Sequence, residues 1–455
     1  MTRKRFWKLG MREFNTQYFD IDKNGDLIVR EGNNQYNLRF LAEKFGTPLE
    51  VVFPFILEER LEDLLDLFAA QIKSLKYRGR FSYHYPMKVN QNKEVVMPLV
   101  SEGANLETGS ANELWLVKRL WEQATFNPKI KVLCNGPKTD KYIRLIDELQ
   151  HRGLSVVPII EGPNEVGVFG QSRFEVGVRL DIPPTVTVAS RWDKTLDRFG
   201  FSQAELVRLG RMRNLKTLHY HVGSQIERQA DILQPLRYAL KVYARLKKLN
   251  PSLDTIDIGG GMPIPYDRRV GYSVTNLARQ MLTTMQKFSD RHGISHPNLV
   301  VEWGRYIVAP SQVTIYKVID TKTIAKGTAK QWYVIDGSFM NDLLDTWAIH
   351  QKWHVLPTAN LDGKQLVKTW LAGSSCDSDD KYTGQNSYVL LPDYDPAASA
   401  EPLFITFLDS GAYQDPLASH HCLLSSPAKI IAENGHIIVA RKRETAEDVG
   451  KLFGW

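Results

Sequence analysis

From Phe81 onward, short apolar runs alternate with longer segments of helical period. The runs lie at residues 81–88, 104–107, 130–135, 155–160, 174–181, 215–222, 253–259 and 298–303. The intervening segments carry helix signals. Leu277, Met281, Met285 and Phe288 recur at spacings of four and three, which lays one apolar stripe along a helix. Ser202-Gln203-Ala204-Glu205 is a capping-box pattern that satisfies the orphan amides of a helix start. Eight strand–helix repeats is the number that closes a (β/α)8 barrel. Parallel strands point one way, so their C-terminal ends converge on one rim.

The flanks read differently. Up to about Phe45, DLIVR and QYNLRF are strand-like and Asn24-Gly25 marks a turn. The turn Gly46-Thr47-Pro48 leads into LEVVFPF. Beyond residue 312 the helical spacing fades. QVTIYKVID, QWYVID, SYVLL, PLFITFL, KIIAE and HIIVARK read as strands between turns such as DPAASAEP. The expected fold class is α/β: a TIM-like barrel plus a C-terminal β-rich domain joined by the N-terminal strands. The expected boundaries are 1–48 for an N-terminal segment packing with the β domain, 49–312 for the barrel and 313–455 for the β domain. There are no internal repeats and no low-complexity tracts.

Composition narrows the class. With 455 residues, 43% apolar and 24% charged, the chain is long enough for two domains and is neither disordered nor fibrous. No apolar run is long enough to span a bilayer. The start, MTRKRFWKLGMREF, lacks the apolar core of a secretory signal. Cys134, Cys376 and Cys422 are odd in number and far apart, which argues against a disulfide framework and for a reducing cytoplasm. The net charge of +7 raises the question of polyanion partners. The basic residues are dispersed, with only short clusters such as RKR and no aromatic-plus-basic reading face. Neither nucleic acid nor membrane is expected as a partner.

Several strands end on residues able to do chemistry. FSYHYPMK stops at Lys88; a buried amine there sheds its proton because desolvation disfavours the charged form, and it then forms a Schiff base. A surface lysine is the default for any one of 58 Lys and Arg residues, but Lys88 closes the first barrel strand among uncharged neighbours. LVVEWGR ends in Glu302, whose carboxylate suits a pyridine nitrogen; alone it would read as a strand-end ion pair with Arg305. Gly259-Gly260-Gly261 lets backbone amides approach a phosphate without side-chain interference, though glycine triplets are often mere turns. His221 offers a flat ring and Ser224 a hydroxyl. An amine, a ring, a glycine nest, a carboxylate and a guanidinium on one rim suit a phosphate-bearing, electron-withdrawing cofactor that forms an imine.

Taken together, YPMKVNQ, LETGSANEL, HYHVGSQ, DIGGGMP, EWGRY, SSCDSDD and LDSGAYQDP resemble the alanine-racemase-fold (fold-type III) pyridoxal phosphate decarboxylases. Within these the wording of YPMKVNQ, GSFMNDLLDTWAIHQ and CDSDD is most similar to biosynthetic arginine decarboxylases of the short form. The likeness runs from about the Gly46 turn to the C-terminus, with the motifs in family order.

The resemblance implies pyridoxal 5'-phosphate as cofactor, held covalently by Lys88. It implies Glu302 at the pyridine nitrogen, His221 stacked on the ring, Glu107 near lysine and ring edge, and Arg179 as ring support. Ser224, Gly260, Gly261, Gly304, Arg305 and Tyr413 would surround the phosphate. Cys376 would be the acid that reprotonates the substrate carbon. Asp345 and Asp377 would hold the distal cation of a basic amino acid, since a guanidinium offers a planar fork for paired charge-assisted bonds. The resemblance further implies a homodimer, or a dimer of dimers, with active sites shared across subunits. Arg198 and Asp380 would form an intersubunit ion pair, and no metal is implied. The expected activity is decarboxylation of L-arginine to agmatine in polyamine and spermidine synthesis.

The chain departs from the long arginine decarboxylases, which carry a helical insertion between barrel and β domain and extra C-terminal length. EWGR also puts Trp303 where relatives place a small residue or proline, which would reshape the phosphate neighbourhood. The alternatives are decarboxylation of lysine, ornithine or another basic amino acid, and, from another class, an inactive regulatory homologue. The latter would be expected to lose Lys88 or Cys376, and both are present. A racemase would need a tyrosine base where this chain offers Cys376.

Overall fold

The structure, a computed structural model, describes residues 3–123, 129–186, 198–363, 365–383 and 387–455. The chain forms two compact units. One comprises Met1–Leu57, Ile264–Arg269 and Val308–Trp455; the other comprises Glu58–Pro263 and Val270–Ile307.

The second unit is a closed eight-stranded parallel barrel. Its strands are β1 (Phe81–Pro86), β2 (Asn105–Thr108), β3 (Lys131–Cys134), β4 (Ser155–Ile160), β5 (Val176–Arg179), β6 (Leu215–His219), β7 (Thr255–Asp257) and β8 (Asn298–Val301). The barrel shuts where β8 pairs with β1, Leu299 opposite Phe81. Such strands are covered on both faces, which explains near-continuous apolar runs such as Val156–Ile160. Six of them are two to four residues shorter than their apolar runs; β4 coincides with its run and β2 is displaced from its run by one residue.

The helices between strands start where side chains cap orphan amides. Ser110, Thr139 and Ser273 each accept a hydrogen bond from an amide in the first turn, and Ser202 with Glu205 makes the expected reciprocal box. The stripe on helix Val274–His292 buries Leu277, Met281 and Met285 completely. Phe288, its expected fourth member, is only half-buried.

The first unit is β-rich. Phe19–Ile21, Leu27–Glu31 and Asn34–Asn37 form an antiparallel sheet. Strand Leu49–Val52 lies inside a larger mixed sheet, antiparallel to Gln312–Thr323 and parallel to Ala428–Glu433. The N-terminal strands therefore join the C-terminal β region, as the fold class requires, and Leu49–Val52 belongs to this unit. Among the described residues no helix is long and apolar enough to cross a membrane.

That sheet carries a buried charge network. Lys429 Nζ lies 2.6 Å from Asp415 and 3.3 Å from Glu50; Arg441 reaches the same two carboxylates at 2.7 and 3.0 Å. It fixes the loop 413–415 against two strands. Removing one partner of a buried network strands the other charges, which costs about 3–5 kcal/mol. Lys429→Met is therefore expected to lower unfolding stability by about that amount, whereas Lys330→Ala, which frees an exposed pair with Asp393, shifts it by less than about 1 kcal/mol; urea titration of both variants distinguishes the two.

Candidate active site

Every barrel strand delivers a chemical group to one rim. Lys88 sits in the single turn Met87–Val89 just past β1, and Glu107 is on β2. Asn135 and Glu161 follow β3 and β4, and Arg179 ends β5. His219 ends β6 with His221 two residues on, Asp257 ends β7 ahead of the glycine triplet, and Glu302 follows β8. Register aligns them: Arg179 lies opposite His219, His219 opposite Asp257, and Pro86 opposite Glu107.

Glu302 is the electrostatic centre. Its side chain is 2% exposed. Asn135 Nδ2 donates to its Oε1 at 3.0 Å, and His219 Nε2 lies 3.6 Å from the same oxygen. One atom each from His219, Asp257 and Glu302 falls within a 4.8 Å cluster. Burial, reinforced by the charge of Glu302, pushes Asp257 well above the usual carboxylate range. Glu302 feels the same burial but is held below that range by the His219 imidazole and by the Lys88 amine. Of two adjacent buried carboxyls, Asp257 takes the proton and Glu302 keeps the charge.

His221 is packed flat by glycine. A Cβ on Gly260 would meet the His221 ring at 3.3 Å and the Glu302 carbonyl at 3.1 Å, and the Gly260 amide donates to His221 Nδ1 at 3.1 Å. A ring nitrogen that accepts from an amide is unprotonated, and burial lowers the His221 pKa well below the usual value. The imidazole is neutral. Nearby, Arg305 Nε donates to Ser224 Oγ at 3.4 Å, and Gly304 leaves no room for a Cβ, which would meet Val89 and Pro86 at 2.6–2.7 Å. Trp303 does not reach this neighbourhood. Its indole is 1% exposed and packs near Phe68, with ring centroids 6.0 Å apart.

Lys88 is not desolvated as its sequence surroundings imply. Its side chain is 47% exposed, because β1 stops at Pro86 and the lysine projects from the rim. What faces it is Glu107, 1% exposed, with the amine 3.9 Å from Oε2. Burial pushes the Glu107 carboxyl up to about 8, against the opposing pull of Lys88. Arg179 is 3.1 Å from Glu161, and its guanidinium stacks on Phe199 at 4.3 Å.

The rim fits a flat polar ring bearing a phosphate. Both Glu107 oxygens, Asn135 Oδ1, both His219 nitrogens and Asp257 Oδ2 are buried without a hydrogen-bond partner. Each such atom costs on the order of 1–3 kcal/mol, and their concentration at one strand-end rim is the mark of a binding site. The Gly261 amide, Ser224 and Arg305 suit a phosphate; Lys88 suits a carbonyl.

The other expected residues lie on the β-rich unit. Asp345 is buried, and its amide donates to Gln414 Oε1 at 3.1 Å, which ties it to the loop of Tyr413. Tyr413 takes a left-handed conformation (φ 69°). Cys376 is exposed, its sulfur 3.5 Å from that of Cys422, which raises the thiol pKa. Asp377 pairs with His421 at 3.2 Å. Asp380 does not face outward: it is 3% exposed and accepts the amides of Phe339 and Ser375 at 2.8 and 3.2 Å. Arg198 stacks on Phe199.

Sequence reading passed over His219, Asp257, Asn135 and Glu161. The signal for the first was present in HYH, since residues two apart on a strand share a face. Asp257 precedes the glycine triplet by one apolar residue, and its side chain accepts the Gly259 amide at 2.9 Å.

Comparison with known proteins agrees with this geometry. Residues 61–309 match the family model "Pyridoxal-dependent decarboxylase, pyridoxal binding domain". Among curated relatives, a biosynthetic arginine decarboxylase of Phocaeicola vulgatus is 28% identical over 78% of this chain and 59% of its own length. One of Pseudomonas aeruginosa is 30% identical over 69% and 54%. The chain thus spans less than two thirds of these relatives. Among solved structures, the biosynthetic arginine decarboxylase of Campylobacter jejuni shares the fold with a TM-score of 0.84 at 20% identity, over 98% of this chain and 92% of that one. A diaminopimelate decarboxylase of M. jannaschii, in complex with L-lysine, does so with a TM-score of 0.80 at 21% identity, over 96% and 97%. The family match covers more than half of the 455 residues, and its bounds enclose every rim residue described above: the chain belongs to the pyridoxal-dependent decarboxylases.

Proposed function

We propose that this protein decarboxylates L-arginine to agmatine with pyridoxal 5'-phosphate, in the cytoplasm, as a homodimer with shared active sites. The observation that carries the reading is the rim itself, where Lys88 stands among a buried charged Glu302, a neutral His221 and a glycine cradle. The names of the curated relatives support arginine as substrate.

Pyridoxal phosphate, when bound, supplies an electron sink that lets the α-carboxylate of an amino acid leave as carbon dioxide. The protein supplies the rest. The Lys88 amine holds the carbonyl carbon of the cofactor, and Glu302, ionised, keeps a proton on the ring nitrogen. Glu107 carries its own proton near neutral pH and offers it as a hydrogen bond beside Lys88. His221 backs the ring, while Ser224, Gly260, Gly261, Gly304, Arg305 and Tyr413 hold the phosphate. Asp345 and the partner subunit's Asp377 take the guanidinium. The thiol of the partner subunit's Cys376 delivers the proton to the α-carbon after decarboxylation.

Product analysis from a mixture of arginine, lysine and ornithine is expected to give agmatine; dominant cadaverine or putrescine contradicts the substrate. Lys88→Ala is expected to reduce turnover to background, and mixed dimers of Lys88→Ala with Cys376→Ala to recover part of it. No recovery in verified mixed dimers means self-contained protomers. Asp345→Asn removes one charge-assisted bond worth about 1.5–3 kcal/mol and is expected to raise KM for arginine about 10- to 150-fold.

Glu107 gives a pH signature. Its folded pKa, about 8, lies above its unfolded value of about 4.3. Its penalty is absent below the unfolded pKa, grows between the two, and is complete above the folded one. In cofactor-free protein Glu107→Gln is expected to raise Tm by a few degrees at about pH 9 and to leave it unchanged at about pH 4. An equal effect at both pH values contradicts the assignment.

A further inference from the structure

On the outside of the barrel unit, helices Gln229–Leu249 and Val274–His292 border a groove of about 800 Å³. Arg237, Lys241, Arg245 and Lys248 line it from the first helix, and Lys287 and Arg291 from the second. All six are exposed, and no aspartate or glutamate lines the groove. Spacings of four, four and three put the first set on one helix face over about 16 Å, and a spacing of four puts the other pair on the facing helix.

Among the described residues none of the six makes an ion pair. Each helix holds a single acid, and both are engaged elsewhere: Asp231 lies 3.8 Å from Arg228, and Asp290 pairs with Arg78 and His296 at 3.1 and 3.0 Å. Six like charges around one concavity repel one another, and an anion relieves that repulsion. The floor is small and partly apolar, with Ala244, Thr284 and the half-buried Phe288.

We propose that this groove is a binding site for a linear chain of phosphates, either a nucleoside polyphosphate or an inorganic oligophosphate. Three of the cations are arginines, whose planar forks bind phosphate oxygens in pairs, and the lysines add point charges along the line. The length matches a few phosphates, and the volume is that of a small-ligand pocket rather than an extended nucleic-acid track. The site is on the barrel's outer face and is independent of the proposed reaction.

The test uses the full chain loaded with pyridoxal phosphate, so that its own phosphate cradle is filled. Tripolyphosphate, ATP and AMP are titrated by calorimetry at about 50 mM salt, where screening is modest. One saturable site is expected, with both triphosphates at least about tenfold tighter than AMP. The double reversal Lys241→Glu, Arg245→Glu should weaken binding about 100-fold with decarboxylation unchanged, and the milder pair Arg237→Gln, Lys287→Gln about tenfold. An ATP preference removed by Phe288→Leu assigns the nucleoside form, and equal affinities assign the inorganic one. Absence of saturable binding, binding indifferent to both charge variants, AMP as tight as the triphosphates, or a single-stranded RNA that tripolyphosphate fails to displace would each overturn the proposal.

Discussion

A buried carboxylate that keeps its charge organises the barrel rim. Glu302 sits in an environment that by itself favours protonation, and three neighbours from three other strands reverse that preference. Asn135 donates to it, His219 lies beside it, and the Lys88 amine adds to the favourable field. Asp257 completes the arrangement by taking up the proton that two adjacent carboxyls must share. No single strand could do this, and a closed barrel is the architecture that brings eight strand ends to one mouth.

The same closure explains the glycine requirement. His221 and Glu302 come from strands on either side of β7, and the Gly259–Gly261 turn passes between them. A side chain at Gly260 would strike both. The glycines thus let the His221 ring pass beside the Glu302 main chain, and the Gly259 and Gly260 amides anchor Asp257 and His221. On the β-rich unit, the network of Glu50, Lys429, Asp415 and Arg441 fixes the loop that carries Tyr413 and, through Gln414, Asp345.

Much of this was legible in the chain itself. Strand order followed from alternating periods, helix starts from caps such as Ser202 and Glu205, and the barrel candidates from the residues that end each apolar run. Three-dimensional pairing was harder to read. Asp257 was passed over inside its apolar run because its partner, Glu302, follows the next strand. Lys88 sits among uncharged sequence neighbours, yet its amine projects toward Glu107 and solvent. Asp380, expected to reach outward, is satisfied by amides of its own chain. The dispersed basic residues also changed meaning, since only the packing of a second helix sets Lys287 and Arg291 across from Arg237, Lys241 and Arg245.

The central claim is that Glu302 stays ionised in the folded protein although it is buried. Infrared difference spectroscopy between the wild type and Glu302→Gln isolates its carboxyl band. The account predicts an ionised carboxylate stretch that persists across about pH 5 to 8, well above the range in which an ordinary glutamate titrates. A protonated-acid carbonyl band for Glu302 within that range would contradict it.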